Sequence, residues 1–299
     1  MKKSWIWVGF LSLLFFTYCG DQNTNYKQEI ENWHTKRLES LKSEDGWLNL
    51  AGLYWLDEGT NKAGSDSSYS IVFPGKAPDY LGEFVLEDDS VRFIAADDVD
   101  ITNNQKQVVN QTTMNHDLQK NTTRLNYGSL RWFVIKRGDE YGIRLRDLES
   151  PLIDQLDSIP AFPVDPNWKV KAEYVPFEEE RYLEVPNVLG GTNEERVHGK
   201  LKFSIKDQEF SLVPLGSGDR LFLIFADGTN AEETYGGGRF LSVPGPNDKG
   251  ITYIDFNKAY NPPCAFTPYA TCPLPPRENI LNIRVEAGEK SPGIDVPHH

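Results

Sequence analysis

Two different spacings of apolar residues divide the chain. Between residues 25 and 42, apolar side chains recur every three or four positions, as on one face of a helix; they include Ile30, Trp33, Leu38 and Leu41. From about residue 68 onward, the pattern becomes short runs of period two, separated by Gly, Pro, Asn or Asp. The sequence therefore predicts one N-terminal helix followed by many short strands.

Two of the alternating runs are strong hairpin candidates. In the second arm of the first, residues 129–147, the alternation places Tyr141, Ile143 and Leu145 on one face and Arg144 and Arg146 on the other. The second hairpin covers residues 200–215; Leu201, Phe203 and Ile205 point inward and Asp207–Gln208 form the turn. Further strands are predicted at 83–86, 91–95, 169–175, 220–226, 239–243, 250–256 and 279–286.

Many short strands with little helix are typical of a mainly β protein. We predict antiparallel sandwich or barrel-like sheets with one N-terminal helix and a long Pro-rich C-terminal loop. Residues 19–299 would form this β domain, and the Pro-rich segment 160–166 (PAFPVDP) could divide it into two halves. One continuous domain is the alternative.

The first residues resemble a bacterial lipoprotein signal. Lys2 and Lys3 precede an apolar run over residues 4–18, which is too short for a comfortable transmembrane helix and ends at Cys19. We predict that residues 1–18 are a signal peptide and that Cys19 is lipidated, so the protein would be anchored in the cell envelope on a periplasmic or surface face. A retained N-terminal anchor and simple secretion are the alternatives.

The charge of the chain bears on its partners. Its 299 residues carry 31 basic and 44 acidic side chains, a net charge of −13, which argues against a nucleic-acid partner. The acidic turn at 95–104 lacks the glycine and the final glutamate of a calcium-binding loop, and TYGGGRF at 234–240 lacks the ending of a phosphate loop. We therefore predict no metal and no cofactor, and contact with a membrane only through the lipid anchor.

Polar residues concentrate where the C-terminal strands end. Loops at strand ends commonly carry functional side chains on a rigid scaffold, so a pocket is predicted within residues 227–278. The ligand-binding candidates are Asp227, Thr234, Tyr235, Arg239, Asp255, Asn257, Tyr260 and Asn261. Arg239 could pair with Asp227 or with a ligand's carboxylate. Alternatively, Asp227, Asn257 and Asn261 cap turns through bonds to the backbone.

Three blocks of sequence carry a family resemblance. They are GWLNLAGLYWLDEG near the N-terminus, ADGTNAEETYGGGRFL, and IDFNKAYNPPCAFTPYATCPLPPRENIL. Together they resemble the DUF1684 family of uncharacterised proteins, from about Trp33 to Glu289. The resemblance implies a shared fold and a shared polar loop, and it brings no established reaction, substrate or catalytic residue.

The loop at 259–276 holds six of the chain's 19 prolines and two of its three cysteines. Cys264 and Cys272 could form a disulfide, remain two free buried thiols, or include a nucleophilic or metal-binding cysteine. Because proline removes a hydrogen-bond donor and fixes φ, the loop should be rigid and should stay outside any sheet interior. It could form the wall of a ligand site or cover a sheet edge.

Three functions remain open on this sequence. The first is binding of a sugar or another small molecule in the predicted pocket. The second is a hydrolase in which Asp227 or Asp255 acts as base and Arg239 stabilises an anion. The third is a structural or interaction module. Both pocket hypotheses require Asp227, Arg239, Asp255 and Tyr260 to surround one concavity.

Overall fold

A computed structural model describes residues 20 to 294, so the predicted signal peptide and Cys19 lie outside the described residues. Two α-helices and sixteen strands are present in this part of the chain. The helices are α1 (Gly20–Lys42) and α2 (Pro151–Gln155). The strands are β1 (Leu50–Trp55), β2 (Gly59–Gly64), β3 (Ile71–Val72), β4 (Gly82–Glu87), β5 (Ser90–Ala95), β6 (Thr102–Asn103), β7 (Gln111–Thr113), β8 (Arg124–Tyr127), β9 (Leu130–Arg137), β10 (Glu140–Asp147), β11 (Lys169–Pro186), β12 (Thr192–Ile205), β13 (Gln208–Leu212), β14 (Arg220–Phe225), β15 (Arg239–Pro244) and β16 (Ile251–Asp255).

The first ten strands form two sheets around one apolar core. One sheet has the order β1-β10-β9-β8-β6 and the other the order β3-β2-β4-β5-β7. All pairs are antiparallel except β2 with β3. Large aromatic side chains fill the space between the sheets, and Trp132, Phe84 and Phe93 are completely buried there. Burying aromatic side chains of this size provides much of the driving force for this part of the fold.

The remaining strands build a second core. A four-stranded sheet in the order β13-β12-β11-β16 packs with the β14–β15 ribbon. Phe225, Phe256 and Leu201 are fully buried between them. The two cores lie on either side of segment 160–166 in the sequence, and Phe162 within that segment donates its N–H to Gly288 O at 2.9 Å. A domain boundary at this segment stays a prediction.

Helix α1 packs against this second core. Ile30 is fully buried, and the ring centroid of Trp33 lies 6.1 Å from that of Tyr260. Leu41, near the end of the helix, is fully buried in a separate cluster with Leu48 and Phe266. On the exposed side of the contact, Lys258 Nζ lies 2.6 Å from Glu29 Oε1. The apolar spacing that predicted the helix is thus the face by which α1 joins the C-terminal strands.

The predicted fold class is confirmed. Strands account for 43% of the residues and helices for 14%, and the antiparallel sheets have a half-barrel curl. The predicted hairpin at 129–147 is present as β9 and β10, with Tyr141, Ile143 and Leu145 in the core. Alternation of side chains therefore assigned these two strands and the face that joins the core, but not the burial of the opposite face, where Arg144 and Arg146 are also buried.

Two details of the predicted strands are wrong. The turn between β12 and β13 consists of Lys206 and Asp207, whose φ values are +50° and +64°, so Gln208 already belongs to the strand. The predicted strand at 279–286 is absent, because the chain turns at Arg277–Asn279 and then makes only scattered backbone bonds to Ala226 and Gly228, just after β14. The Asn279 side chain fixes this course by bonding the backbones of Val213 and Ile224.

Candidate functional site

Asp227 and Arg239 form an ion pair with no exposure to solvent. Arg239 Nη2 lies 2.6 Å from Asp227 Oδ2, and both side chains are 0% exposed. The other oxygen of Asp227 accepts bonds from Thr229 N–H at 2.9 Å, Thr229 Oγ1 at 2.7 Å and Val285 N–H at 3.1 Å. A buried charge pair requires such additional bonds, because each ion has lost its hydration.

Arg239 also bonds the chain that follows the Pro-rich loop. Its guanidinium donates to the carbonyl oxygens of Val285 at 2.9 Å and Ala287 at 2.5 Å. The pair therefore fastens β15 to the segment 285–289. Gly238, with φ of +84°, allows the tight turn that brings Arg239 to this place.

The four residues expected around one concavity do not share one; that prediction is wrong, and the pocket predicted within residues 227–278 loses the basis that it had in the sequence. Asp227 and Arg239 are enclosed by Thr229 and the 285–289 backbone, whereas Asp255 and Tyr260 line an open cleft elsewhere. Thr234, another candidate, is buried against Thr229 with their hydroxyl oxygens 3.0 Å apart. The role suggested for Arg239 in a hydrolase gains no support here, because its guanidinium is 0% exposed and already bonds Asp227 and backbone carbonyl oxygens.

Asn257 and Asp255 form a second polar group, together with a tyrosine of α1. The Tyr26 hydroxyl donates to Asp255 Oδ1 at 2.6 Å, and burial together with this bond raises the pKa of Tyr26. Asn257 Nδ2 donates to Asp165 O at 2.9 Å, and Asn257 Oδ1 accepts from Asp165 N–H at 3.1 Å. Asn257 therefore holds the backbone of Asp165, 92 positions away, which is a tertiary contact and differs from the local turn cap described as the alternative.

Asn261 belongs to a third group, centred on Glu289. Asn261 N–H donates to Glu289 Oε2 at 2.7 Å, and Asn261 Nδ2 donates to Lys290 O at 2.7 Å. From α1, Arg37 Nε lies 3.6 Å from Glu289 Oε1, and the Arg37 guanidinium carbon lies 4.7 Å from the centre of the Tyr260 ring. Glu289 has no exposed surface.

Replacing Glu289 with glutamine should make stability less dependent on pH. Burial raises the pKa of Glu289, against the opposing effects of Arg37 and the Asn261 bonds. A carboxyl with a raised pKa keeps its proton more firmly in the folded chain than in the unfolded chain. Its contribution to stability is therefore present at low pH and falls as pH rises above about 4.3, the value for an unfolded glutamate.

Urea unfolding over a pH series measures this effect. The free energy of unfolding of Glu289→Gln, minus that of the wild type, should increase with pH from about 4.3 until the folded pKa is passed. Subtracting the wild type cancels the other carboxyl groups. A difference that stays constant across the series would show that Glu289 has the same pKa in both states.

We call the open cleft between α1 and the C-terminal sheet the helix–sheet cleft. Its volume is about 690 Å³. It is lined by Glu29, Trp33, Lys169, Asp219, Arg220, Ser242, Pro244, Gly245, Asn247, Ile251, Thr252, Tyr253, Asp255, Lys258 and Tyr260. This volume lies within the range of pockets that hold small ligands, and the mixture of aromatic and polar groups is also typical of them.

The charges around this cleft balance, with three acidic and three basic side chains in the lining. Lys258 is held by Glu29 at 2.6 Å, and it lies 3.8 Å from Asp255. Lys169 lies over the Tyr26 ring, with its Nζ 5.1 Å from the ring centre. The cleft as a whole therefore favours neither a strongly anionic nor a strongly cationic ligand.

We call a second, smaller cleft the junction cleft, because strand β1 and the Pro-rich loop form opposite walls of it. Its volume is about 390 Å³. It is lined by Leu53, Trp55, Val188, Leu189, Tyr235, Cys264, Thr267, Pro268, Tyr269 and Ala270. The candidate Tyr235 lies here, and burial raises its pKa. Cys264 in this wall is joined to Cys272 by a disulfide, with 6.2 Å between their Cα atoms.

Sequence reasoning missed several residues of the helix–sheet cleft and its surroundings. Trp33 and Arg37 were assigned only to a helix, and Lys169 only to a strand. Their roles depend on contacts with residues more than 80 positions away, for which the local pattern contains no signal. The one signal in the sequence was the tryptophan on the apolar face of the helix, which indicates that α1 packs against other aromatic side chains.

Two further searches concern the described residues only. Within residues 20–294, no group of three or more His, Cys, Asp or Glu side chains is arranged to hold a metal ion. In the same part of the chain, no helix is both long enough and apolar enough to cross a membrane.

Similarity to known proteins covers part of the chain. No curated protein matches significantly. A similar solved structure is the solution NMR structure of an uncharacterized protein from Haloarcula marismortui, which is 28% identical. The alignment covers 46% of this chain and 78% of that chain, with a TM-score of 0.39.

The family resemblance is supported over part of its expected length. Residues 154–290 match the family described as "Protein of unknown function (DUF1684)". The GWLNLAGLYWLDEG block precedes the matched region, whereas the ion pair of Asp227 with Arg239, the disulfide and the sheet wall of the helix–sheet cleft lie inside it. The similarity to this family therefore covers residues 154–290, which follow helix α1 and the two sheets of the first core.

Proposed function

We propose that the helix–sheet cleft binds a small, largely neutral polar molecule, with carbohydrates as the first class to test. The observation that supports this is the lining itself, in which Trp33, Tyr253 and Tyr260 lie beside the carboxylate of Asp255. Aromatic rings offer flat apolar surface to the C–H face of a sugar ring. Carboxylate, amide and guanidinium groups at the rim can bond its hydroxyls.

The side chains in the cleft walls are held in fixed positions, which favours binding over a purely structural role. Asp255 is held by Tyr26 at 2.6 Å and by Asn257 at 3.3 Å, so its carboxylate has a fixed position before a ligand arrives. The Trp33 ring packs beside the Tyr260 ring, with 6.1 Å between their centres. A preformed site loses less conformational entropy on binding, which increases affinity.

We place this binding activity in the cell envelope as part of the same proposal. The support is the N-terminal sequence, with two lysines, an apolar run and Cys19. A lipid anchor at Cys19 would attach the protein to a membrane while α1 and the cleft stay in the aqueous phase. Extraction of the full-length protein into detergent, followed by mass spectrometry of its N-terminal peptide, tests the anchor directly.

A panel of glucose, galactose, N-acetylglucosamine, maltose and cellobiose tests the binding proposal. We expect at least one of these sugars to raise the melting temperature and to give a calorimetric isotherm. Tyr253→Ala should weaken that binding by roughly three- to tenfold, because an aromatic contact contributes about 0.5–1.5 kcal/mol. Tyr253 is 50% exposed, so its removal should leave the fold intact.

The matched control is Tyr182→Ala. Tyr182 is also a strand tyrosine, is 55% exposed and lies outside the helix–sheet cleft. Its replacement should leave sugar binding unchanged. If no sugar in the panel binds, or if both tyrosine variants lose affinity equally, the carbohydrate proposal for this cleft is rejected.

A further inference from the structure

Five arginines lie on or beside the outer face of the sheet that contains β9 and β10, and four of them have polar partners. Arg124 pairs with Asp45 at 2.7 Å, Arg131 with Glu44 at 3.0 Å, Arg137 with Asp117 at 2.8 Å, and Arg146 bonds Asn49 Oδ1 at 2.6 Å. The fifth, Arg144, forms no hydrogen bond and no ion pair, and its Nε and Nη2 atoms are buried without a partner.

Arg144 is nevertheless almost completely buried, with 5% of its surface exposed. Its guanidinium carbon lies 5.8 Å from the centre of the Trp47 ring, which is a weak substitute for a counter-charge. Burial lowers the pKa of Arg144 to about 10, which leaves it charged at neutral pH. An unpaired buried cation is costly, and an apolar side chain of similar size would be more stable here.

Arg144 lies beside the junction cleft, next to one of its lining residues. On the sheet it is directly opposite Leu53, whose side chain lines that cleft. A Cβ atom on Gly142 would lie 3.0 Å from the Trp55 ring and 3.3 Å from Leu53, so these two side chains cover the same face from which Arg144 projects. Directly opposed side chains on a sheet begin about 5 Å apart, well within the reach of an arginine.

The opposite wall of the junction cleft adds aromatic surface. Tyr235 and Tyr269 line it, and the disulfide between Cys264 and Cys272 stiffens it. Trp47, the ring beneath Arg144, packs against this disulfide. An apolar, aromatic cleft thus ends close to a positive charge that lacks a partner.

We propose that the junction cleft binds a small organic anion, in which a carboxylate or phosphate pairs with Arg144 and an aromatic or aliphatic group fills the cleft. The volume of about 390 Å³ suits a single substituted ring. Because Nε and Nη2 are buried, the Nη1 group is the donor that we expect to bond an oxygen of the carboxylate or phosphate, and a bond to a charged group is stronger than one between neutral groups. This site is separate from the helix–sheet cleft and does not depend on carbohydrate binding there.

Phenylacetate, phenyl phosphate and neutral phenylacetamide are the probes for this site. Calorimetry and thermal shift on the wild-type protein should show binding of at least one anion, and binding of phenylacetamide that is about tenfold weaker or absent. The comparison of the two anions tells whether a carboxylate or a phosphate is preferred. If neither anion binds, or if phenylacetamide binds as tightly as phenylacetate, the proposal is overturned.

Arg144→Met then separates charge from packing. The variant should lose anion binding by about tenfold or more and should melt at a higher temperature than the wild type, because it removes an unpaired buried charge. Arg131→Met, which removes a paired arginine from the same face, should keep the binding. Unchanged affinity in Arg144→Met, or equal losses in the two variants, would refute the assignment of Arg144.

Discussion

Replacing Arg239 with methionine should lower the free energy of unfolding by about 3–5 kcal/mol. The substitution keeps the length of the side chain but leaves Asp227 as a buried negative charge without its partner, 0% exposed. It also removes the donors to the carbonyl oxygens of Val285 and Ala287, which are satisfied by this guanidinium. Urea unfolding followed by tryptophan fluorescence measures the loss.

A double variant separates the cost of the orphaned charge from the value of the pair. Arg239→Met combined with Asp227→Asn should recover part of the lost stability, because no charge is then left buried alone. Arg284→Met is the control of matched residue type. Arg284 pairs with three glutamates, Glu232, Glu233 and Glu286, but on the surface, where solvent screens the interactions, so its loss should change stability far less.

These variants also test whether Arg239 stabilises the fold through its buried ion pair. If Arg239→Met unfolds at the same urea concentration as the wild type, the buried pair is not holding β15 to segment 285–289. If Arg284→Met is as destabilising as Arg239→Met, burial is not the reason for the effect. Either result would reopen a role for Arg239 outside structural support.

Removing the disulfide should cost about 2–3 kcal/mol of stability. Cys264 and Cys272 are only eight positions apart in sequence, so the constraint on the unfolded chain is moderate. Both residues are buried, and they pack with Ala270 against Trp47 and Tyr235. The double variant Cys264→Ala/Cys272→Ala should therefore unfold at a lower denaturant concentration than the oxidised protein.

Wild-type protein reduced with a thiol is the matched comparison for this variant. It loses the covalent bond but keeps both sulfur atoms, so its extra stability over the double alanine variant measures the packing of sulfur alone. Thiol titration of the unfolded, unreduced protein in a Cys19→Ser background should detect no free thiol. Detection of two thiols per chain would contradict the disulfide.

The two clefts lead to different functional expectations. The helix–sheet cleft has balanced charges and three aromatic side chains, Trp33, Tyr253 and Tyr260. The junction cleft is smaller and ends near the unpaired Arg144. The variants Tyr253→Ala and Arg144→Met therefore test the two sites independently, because a change at one should leave ligand binding at the other unaltered.

The local pattern of the chain determined most of its secondary structure. Helix α1, the β9–β10 hairpin and the inward faces of their residues follow from spacing alone, because side-chain direction repeats every 3.6 or every two residues. The proline-rich block gave the family resemblance and a rigid loop. The predicted strand at 279–286 failed, because the Asn279 side chain takes backbone bonds that alternation cannot reveal.

Only the tertiary structure decided which polar residues are buried and which face a cleft. Asp227 follows strand β14 and Asp255 ends strand β16, yet Asp227 is enclosed by Arg239 and segment 285–289, while Asp255 lies beside Tyr26 at an open cleft. The reason is physical: burial of a charge depends on what packs over it. For Asp227 and for Arg144 the covering residues come from segments far away in the chain, and no local spacing records them.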